Sequence, residues 1–415
     1  MKPSFEKLEH LLHGYKTESV ALVARASEFA ERAHEGQLRE SGVSYFHHTF
    51  ATALILAEWR MPPAIIAAGF LHDVPEDTKF SLGDIEKNFG KDIASIVEGE
   101  TKLSSLKYRG RERYAENLRK MFFAIAKDLR VVIVKFADRI DNLKTLDIFP
   151  EEKRRRIALE TLEIYAPIAN RLGMGDAKGQ LEDLAFPHVY PKEHEWLTKL
   201  IEGKLEEKSQ RMEKVQRIAR DELGRAKIQV VNLHGRTKRL YSLYRKLIKR
   251  DRDLSRVYDL IALRVIVKTT ADCYAVLGVI HNRFKPLKGR IKDYIAQPKP
   301  NGYRSLHTTV FSDDGEIVEF QVRTEEMHED AEYGVAAHWR YDEGRRSAAP
   351  SARQLKWMEE LARIQKELHD REAFLETVDE LKIDFFKNRI FIFTPKLRNH
   401  AFTLYNQAVH DRTGD

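Results

Sequence analysis

Apolar residues recur at helical spacing through the first part of the chain, in SVALVARASEFAERAHEG, FATALILAEWR and RRRIALETLEIYAPIANRLG, with few alternating stretches. The region from the start to about residue 195 therefore reads as all-helical. A strongly charged segment, EGKLEEKSQRMEKVQRIARDEL, follows, and its mixed charges predict an exposed connecting helix from roughly Glu195 to Leu223. Beyond it the period changes. KIQVVNLHG, DLIALRVIV, HTTVFSD and GEIVEFQVRT have the β-branched content and alternation of strands, whereas RLYSLYRKLIKR and DCYAVLGVIHNRF between them predict helices. An α+β domain with a mixed sheet is expected over about 225 to 341, and GRRSAAPSAR, residues 344–353, is the clearest linker. A helix around QLKWMEELARIQKEL and an apolar strand, NRIFIFTPK, come after it. The expected division is 1–195 helical, 196–341 mixed, and 342–415 linker, helix and the start of a further region.

A chain of 415 residues exceeds what one core usually organises, in keeping with that division. The balance of 71 Lys+Arg over 64 Asp+Glu is compatible with polyanionic partners, nucleotides or RNA among them, and equally with a well-solvated surface. One cysteine, Cys273, cannot form an internal disulfide, and MKPSFEKLEH lacks the apolar core of a signal peptide, so a cytoplasmic protein is expected. The longest apolar runs, such as PAIIAAGFL and RVVIVKF, fall well short of the roughly 20 residues that cross a bilayer, so no membrane partner is expected.

Two sets of chemistry-bearing residues change the picture. In the first, His72 and Asp73 stand side by side at the predicted end of the helix PAIIAAGFLHD, where Pro75 disfavours helical geometry at Val74. Glu76 and Asp77 follow at the same spot. Adjacent donors on one turn cannot close a metal site alone, and His48 and Asp138 are the candidates to complete it. Asp138 and Asn142 lie four apart on one face of a predicted helix. A His/Asp set suits manganese, iron or zinc better than calcium, and such a metal lowers the pKa of bound water and neutralises phosphate charge. Glu76 and Asp77 would position or deprotonate that water.

The second set suits nucleotide polyphosphates, which need cations, close backbone approach and a divalent ion held by carboxylates. Gly235 leads into an expected helix start that carries Arg236 and then Lys238, Ser242 and Lys246 at four-residue intervals. Asp259 and Arg264 flank an apolar run in YDLIALRVIV. In IVEFQVRT, Glu319, Gln321 and Arg323 alternate with Val318, Phe320 and Val322, so the polar trio shares one face, and Asp259 and Glu319 can meet from neighbouring strands. Between them, KPNGYRSLHTT offers a turn at Asn301-Gly302, a flat ring at Tyr303, and donors at Lys299 and His307. No GxxxxGK[ST] occurs, so the phosphate-binding scheme is not of the Walker type.

With these residues in view, the chain closely resembles the Rel/SpoT family of long bifunctional (p)ppGpp synthetase/hydrolases, in its catalytic N-terminal half. The likeness runs from about residue 20 to 395 through LLHDVPEDT, KFADRIDNLKTL, ETLEIYAPIANRLG, GRTKRLYSLYRK, GRIKDYIAQPKPNGYRSLHTT, FQVRT and YGVAAHW. It implies an all-α HD-type hydrolase with His48, His72, Asp73 and Asp138 around manganese, Glu76 and Asp77 assisting the attacking water, and Arg39, Asn142 and Thr145 holding the substrate. The implied reaction removes the 3′-pyrophosphate of ppGpp or pppGpp. It implies, too, a nucleotidyltransferase-like synthetase that moves pyrophosphate from ATP to the 3′-hydroxyl of GDP or GTP. There Asp259 and Glu319 would hold magnesium, Glu319 would activate the hydroxyl, and Tyr303 would stack on guanine. Arg236, Lys238, Ser242, Lys246, Arg264, Lys292, Lys299, Asn301, His307 and Gln321 would line the nucleotides. The stretch Arg290-Ile291-Lys292-Asp293 matches the basic form of a motif that in this family accompanies bifunctional enzymes.

Three positions depart from the family pattern: Thr49 after the first metal histidine, Glu40 after Arg39, and Arg239 after Lys238. Glu40 puts a carboxylate where a cation beside a polyphosphate is usual. Ribosome or tRNA contacts belong to regulatory domains of which FTPK resembles only the opening. Alternatives are retention of only one activity, or a nucleotide-sensing RNA- or ribosome-binding regulator, to which the basic run Lys153 to Arg156 would contribute. Two active sites running together would merely consume ATP, so a switch through the helices from ETLEIYAPIANRLG to LEDLAF is expected.

Overall fold

The computed structural model describes residues 5–104, 121, 124, 127–202, 204–254, 257 and 261–339. The linker, helix and terminal strand expected after residue 341, and Asp259, lie outside the described residues. Helices run in order α1 Phe5–Leu11, α2 Thr17–Ala33, α3 Phe46–Glu58, α4 Pro63–Leu71, α5 Val74–Asp77, α6 Leu82–Phe89 and α7 Lys91–Ser104. They continue with α8 Leu129–Lys144, α9 Glu151–Glu160, α10 Ala166–Arg171, α11 Gly175–Val189, α12 Pro191–Ile201 and α13 Lys204–Arg225.

The hub of this half is α4, where every residue from Ile65 to Leu71 is buried. A helix apolar on all sides must be surrounded, and α2, α3, α7 and α8 enclose it. Gly69 lets α3 approach: a Cβ there would meet Leu56 Cδ1 at 2.5 Å. The facing side of α8 is equally apolar, with Val131 to Val134, Phe136, Ala137 and Ile140 buried. Burial of side chains of this size contributes roughly 1.5–3 kcal/mol each, as an upper estimate. Between α9 and α10 the helix opens into one π turn, Thr161–Tyr165, and Arg139 lies over the Tyr165 ring at 4.2 Å.

The second half follows as β1 Val230–Thr237, α14 Leu240–Ile248, β2 Ile261–Val267, α15 Thr270–Arg283, β3 Lys292–Asp293, β4 Leu306–Phe311, β5 Ile317–Thr324 and α16 Glu325–Tyr333. The strands form one mixed sheet in the order β1-β2-β5-β4-β3, with β2 and β5 parallel and the other pairs antiparallel. One sheet face carries Leu233, Leu263, Val265, Val310, Val318, Phe320 and Val322 into a core closed by Met212, Val215, Ala219 and Leu223 of α13 and by Cys273, Val276 and Ile280 of α15. The fold class is as expected: a helical domain, then a mixed sheet with helices.

Three expectations need correction. The charged segment is not an exposed strut. Its apolar residues at helical spacing cover the sheet, and it divides into α12, which ends at Ile201, and α13, which begins at Lys204. Helix α12 spans residue 195 and, with Phe186, sends Leu197 and Ile201 against Leu243 and Leu247 of α14, so the connecting helices share a core with the sheet domain. Pro75 does not push Val74 out of helical geometry. Val74 opens α5, and Pro75 occupies its first turn, where a missing N–H costs nothing. Arg236 is not on a helix start, because β1 runs through GRT and α14 begins at Leu240.

Candidate functional sites

The first site forms where α3, the α4–α5 corner and α8 meet. His48 Nε2 lies 3.2 Å from Asp138 Oδ1 and 3.4 Å from Asp73 Oδ2, while His72 Nε2 lies 3.2 Å from Asp73 Oδ2 and 3.8 Å from Asp138 Oδ1. One ligand atom each from His48, His72 and Asp138 falls within 4.8 Å of the others, and all three residues are buried. The imidazoles are oriented from behind. His72 Nδ1 donates to the Gly69 carbonyl at 2.8 Å, which turns Nε2 into the cluster as the nitrogen available to a cation, and His72 Nε2 is a buried atom without a hydrogen-bond partner among the described residues. His48 Nδ1 stands 2.8 Å from Asp141 Oδ2. A buried unpartnered nitrogen facing two carboxylates and a second imidazole fits a divalent cation.

The electrostatics agree. Burial alone would lower the pKa of His48, but contacts with Asp138, Asp141 and Asp73 overcome it and hold the value well above the ordinary one. Burial likewise opposes protonation of His72, yet Asp73, with Glu100 and Asp138, raises it to about 9. This concentration of negative charge is what a cation would neutralise. Lys135 offsets part of it from inside the protein, 2.8 Å from Glu100 Oε1 and 2.9 Å from Asp138 Oδ2.

Around this centre, Tyr45 donates to Asp73 at 3.0 Å and to Asp77 at 2.6 Å. Glu76 is half-buried, and burial together with the nearby Glu100 and Asp73 charges raises its pKa to about 7. Arg39 donates to Asn142 Oδ1, Asn142 donates to Asp138 Oδ1, and Thr145 caps α8 with its hydroxyl donating to the Asn142 carbonyl at 3.3 Å. The nine residues the sequence nominates for this site, from Arg39 to Thr145, thus gather in one neighbourhood. Glu40 turns to Lys153 at 3.5 Å and is exposed. Thr49 is buried, its hydroxyl donating to the Phe46 carbonyl. Sequence reasoning missed Tyr45, Glu100, Lys135 and Asp141. Only the last had a visible signal, one helical turn of acidic spacing after Asp138 in ADRIDN.

The second site is the polar face of the sheet. The ladder places His234, Arg264, Gln321, His307 and Lys292 in one row across five strands, with Arg236, Ala262, Glu319 and Thr309 in the next. Glu319 Oε1 accepts from Gln321 Nε2 at 2.9 Å and lies 3.2 Å from His307 Nδ1. Arg236 donates to Gln321 Oε1 at 3.4 Å, and the Tyr303 hydroxyl is 2.9 Å from His307 Nε2. Lys299 Nζ sits 4.8 Å from the Tyr303 ring centre and 4.6 Å from that of Tyr294. Burial, with Lys292 nearby, lowers the Lys299 pKa, and burial lowers that of His307 despite Glu319.

Asn301-Gly302 makes the expected turn. Gly302 has φ +83°, a conformation favouring glycine, and Asn301 Nδ2 donates to the Asn170 carbonyl at 3.1 Å. Ser242, on α14, donates to Glu182 at 3.4 Å, and Lys246 lies one turn further along the same helix. Lys238 follows β1, and Arg239, the departure beside it, pairs with Asp176 at 3.0 Å. Asp259 precedes β2, the strand paired in parallel with that of Glu319, but is itself outside the described residues. Missed by sequence reasoning was Glu332 on α16, which binds Arg264 and Arg323 at 2.9 Å each.

Comparison with known proteins follows the same division. Residues 26–175 match the HD domain family, and residues 235–346 match the region found in RelA / SpoT proteins. A GTP pyrophosphokinase of Streptomyces coelicolor is 42% identical over 414 residues, taking in 95% of this chain and 48% of that protein. A probable guanosine-3′,5′-bis(diphosphate) 3′-pyrophosphohydrolase of Synechocystis is 45% identical over 380 residues, 90% of this chain and 50% of the relative. The bifunctional (p)ppGpp synthase/hydrolase SpoT of Escherichia coli is 42% identical over 399 residues, 95% of this chain and 56% of the relative. The chain spans about half the length of the curated relatives it matches.

Proposed function

The chain belongs to the RelA/SpoT family, with an HD domain ahead of its RelA/SpoT region, and from that premise we propose that it makes and removes the 3′-pyrophosphate of guanosine nucleotides at two separate sites. The observation that carries the reading is the existence of two unrelated constellations: the His48, His72, Asp138 cluster among helices and the Glu319 row on a sheet. We assign residues 1–195 to the hydrolase part with its connecting helices, 196–341 to the synthetase part, and 342–415 to a linker and the opening of a further region. The enzyme is assigned to the cytoplasm. No helix among the described residues is long and apolar enough to cross a membrane.

In the hydrolase, His48, His72, Asp73 and Asp138 would hold a divalent cation, assigned here as manganese. Such an ion, when bound, supplies charge neutralisation for the phosphates and a lowered pKa for water. The chain's own groups do the rest. Arg39, Asn142 and Thr145 hold the nucleotide, and Asp77, tethered by Tyr45, orients the water. Glu76, with a pKa raised to about 7, takes the proton of the attacking water and can release it near neutral pH. The 3′-O–P bond breaks, and ppGpp or pppGpp leaves as GDP or GTP and pyrophosphate.

In the synthetase, Asp259 and Glu319 would hold magnesium, which supplies charge neutralisation on the transferred group. Glu319, within reach of His307 and Gln321, accepts the proton of the 3′-hydroxyl of GDP or GTP. Tyr303 stacks on guanine, with Lys292, Lys299, Asn301 and His307 on the β3–β4 side. ATP then takes the side of β1 and β2, which carry Arg236 and Arg264, with Lys238, Ser242 and Lys246 supplied from the segment and helix after β1. The pyrophosphoryl group passes from ATP to the 3′-oxygen and AMP departs.

Incubating the purified protein with ATP and GDP, and separately with ppGpp and manganese, tests this reading. It requires ppGpp and AMP from the first mixture, and GDP and pyrophosphate from the second. Absence of products from either mixture would contradict it.

A further inference from the structure

Glu332 lies on α16, outside the nominated nucleotide contacts, yet it governs two buried cations. Its Oε1 is 2.9 Å from Arg264 Nη1 and 2.9 Å from Arg323 Nη2. Both guanidinium groups are buried, with side chains 6% and 1% exposed. One carboxylate therefore faces two guanidinium groups, and the other near neighbour adds no negative charge. His328 Nδ1 accepts from Arg323, and burial beside that arginine lowers its pKa to about 4. The charge deficit is matched by a hydrogen-bond deficit, since Arg264 Nε and Nη2 and Arg323 Nε are buried without a partner among the described residues. Buried unpaired donors on cations are costly, and a polyanion brought to this face of the sheet offsets the charge deficit.

Placement decides which polyanion. Arg264 is on β2 beside the Arg236 strand, on the far side of β5 from Tyr303, His307 and Lys292. Its neighbours Leu263 and Val265 go to the opposite, core face, so the guanidinium belongs to the same face as Glu319 and Gln321. Helix α16 is fixed as well. Val335 N–H donates to the Leu172 carbonyl at 2.9 Å, and a Cβ on Gly175 would strike the Ala331 carbonyl, leaving no space between α16 and the Leu172–Gly175 corner. Thr324 caps its first turn, accepting from the Met327 N–H.

We infer that Glu332 is a positioning residue of the synthetase site: a carboxylate on an anchored helix that clamps Arg264 and Arg323 together and sets where the Arg264 guanidinium meets the phosphates of ATP. The inference rests on the proposed transfer reaction for the identity of the nucleotide. Glu332 touches no reacting atom. Its effect falls on ATP and spares the guanosine substrate.

The test compares wild type with Glu332→Gln and Glu332→Asp in the full chain. Steady-state transfer gives KM for ATP and for GDP separately, ppGpp hydrolysis on the same preparation reports folding of the helical half, and calorimetry measures binding of α,β-methylene ATP without turnover. We expect Glu332→Gln to raise KM for ATP, and the dissociation constant of the analogue, about tenfold. KM for GDP and hydrolysis should stay within twofold, and Glu332→Asp should recover part of the loss. An unchanged ATP KM and analogue affinity in Glu332→Gln overturns the inference. So does a loss spread equally over ATP, GDP and hydrolysis, which marks a merely structural role. If wild type transfers nothing to GDP, the functional reading falls, while the analogue titration still decides whether Glu332 controls triphosphate binding. A wild type that binds no analogue removes both.

Discussion

Asp141 Oδ2 lies 2.8 Å from Nδ1 of His48, on the side of the ring away from Asp73 and Asp138, and so aims the other nitrogen into the cluster. A carboxylate behind a ligating imidazole fixes its orientation and raises its basicity. The Asp141→Ala variant should therefore bind manganese roughly 10- to 100-fold more weakly while keeping the fold. Titration of the metal-stripped protein, with circular dichroism as the control, checks this. Unaltered affinity would show that Asp141 serves only Arg39, 3.7 Å away.

Lys135 is a second hidden support. It is buried between Glu100 and Asp138, and removing one member of such a set leaves charge uncompensated at a cost of about 3–5 kcal/mol. Lys135→Met should lower the unfolding free energy obtained from urea denaturation by an amount of that order, and Glu100→Gln added to it should restore part of the loss. A double variant no more stable than the single one would contradict this pairing.

The His/Asp cluster was legible because its donors are chemically distinctive and HD, PED and ADRIDN put them at helix ends and on one helix face. Its supports were not. A lysine in VVIVKFADRI reads as a solvated charge until the helix is found enclosed, and Glu100 and Tyr45 come from segments with no pattern of their own. The sheet's alternation revealed the polar face of β5 correctly, since Val318, Phe320 and Val322 are in the core. The connector misled because charge is dense on α13, whereas the fate of a helix is set by the narrow stripe Met212, Val215, Ala219 and Leu223. GRTK misled for a different reason. Cations at helical spacing say nothing of where the preceding strand stops. Glu332 could not be assigned because its partners are brought to it only by strand order.

The corner between the two halves depends on backbone approach. Gly334 has φ +55° and rests against the Leu172 carbonyl, with which an added Cβ would collide. Since neither group is a flexible side-chain end, Gly334→Ala should cost on the order of 2 kcal/mol or more. The checks are a lower thermal midpoint and faster hydrogen exchange at the Val335 N–H, which bonds to that carbonyl. Exchange unchanged from wild type would show that the contact is dispensable.

Glu332 also sets an acid limit. Burial opposes its ionisation, but Arg264, Arg323 and Arg236 prevail and hold its pKa to about 2, below the ordinary glutamate value. A carboxyl whose pKa is depressed on folding contributes stability above its unfolded pKa and loses it as pH falls through the folded value. Wild type should thus lose stability between about pH 4.5 and 2 by on the order of 2 kcal/mol more than Glu332→Gln. Parallel curves of unfolding free energy against pH for the two proteins would refute this.

Independence of the two sites is the central claim, and crossed single substitutions measure it directly on one preparation each. His72→Ala should reduce ppGpp hydrolysis at least a thousandfold and leave pyrophosphate transfer from ATP to GDP within severalfold of wild type, and Glu319→Gln should do the reverse. If either substitution abolished both reactions in a folded protein, the two-site account would be wrong.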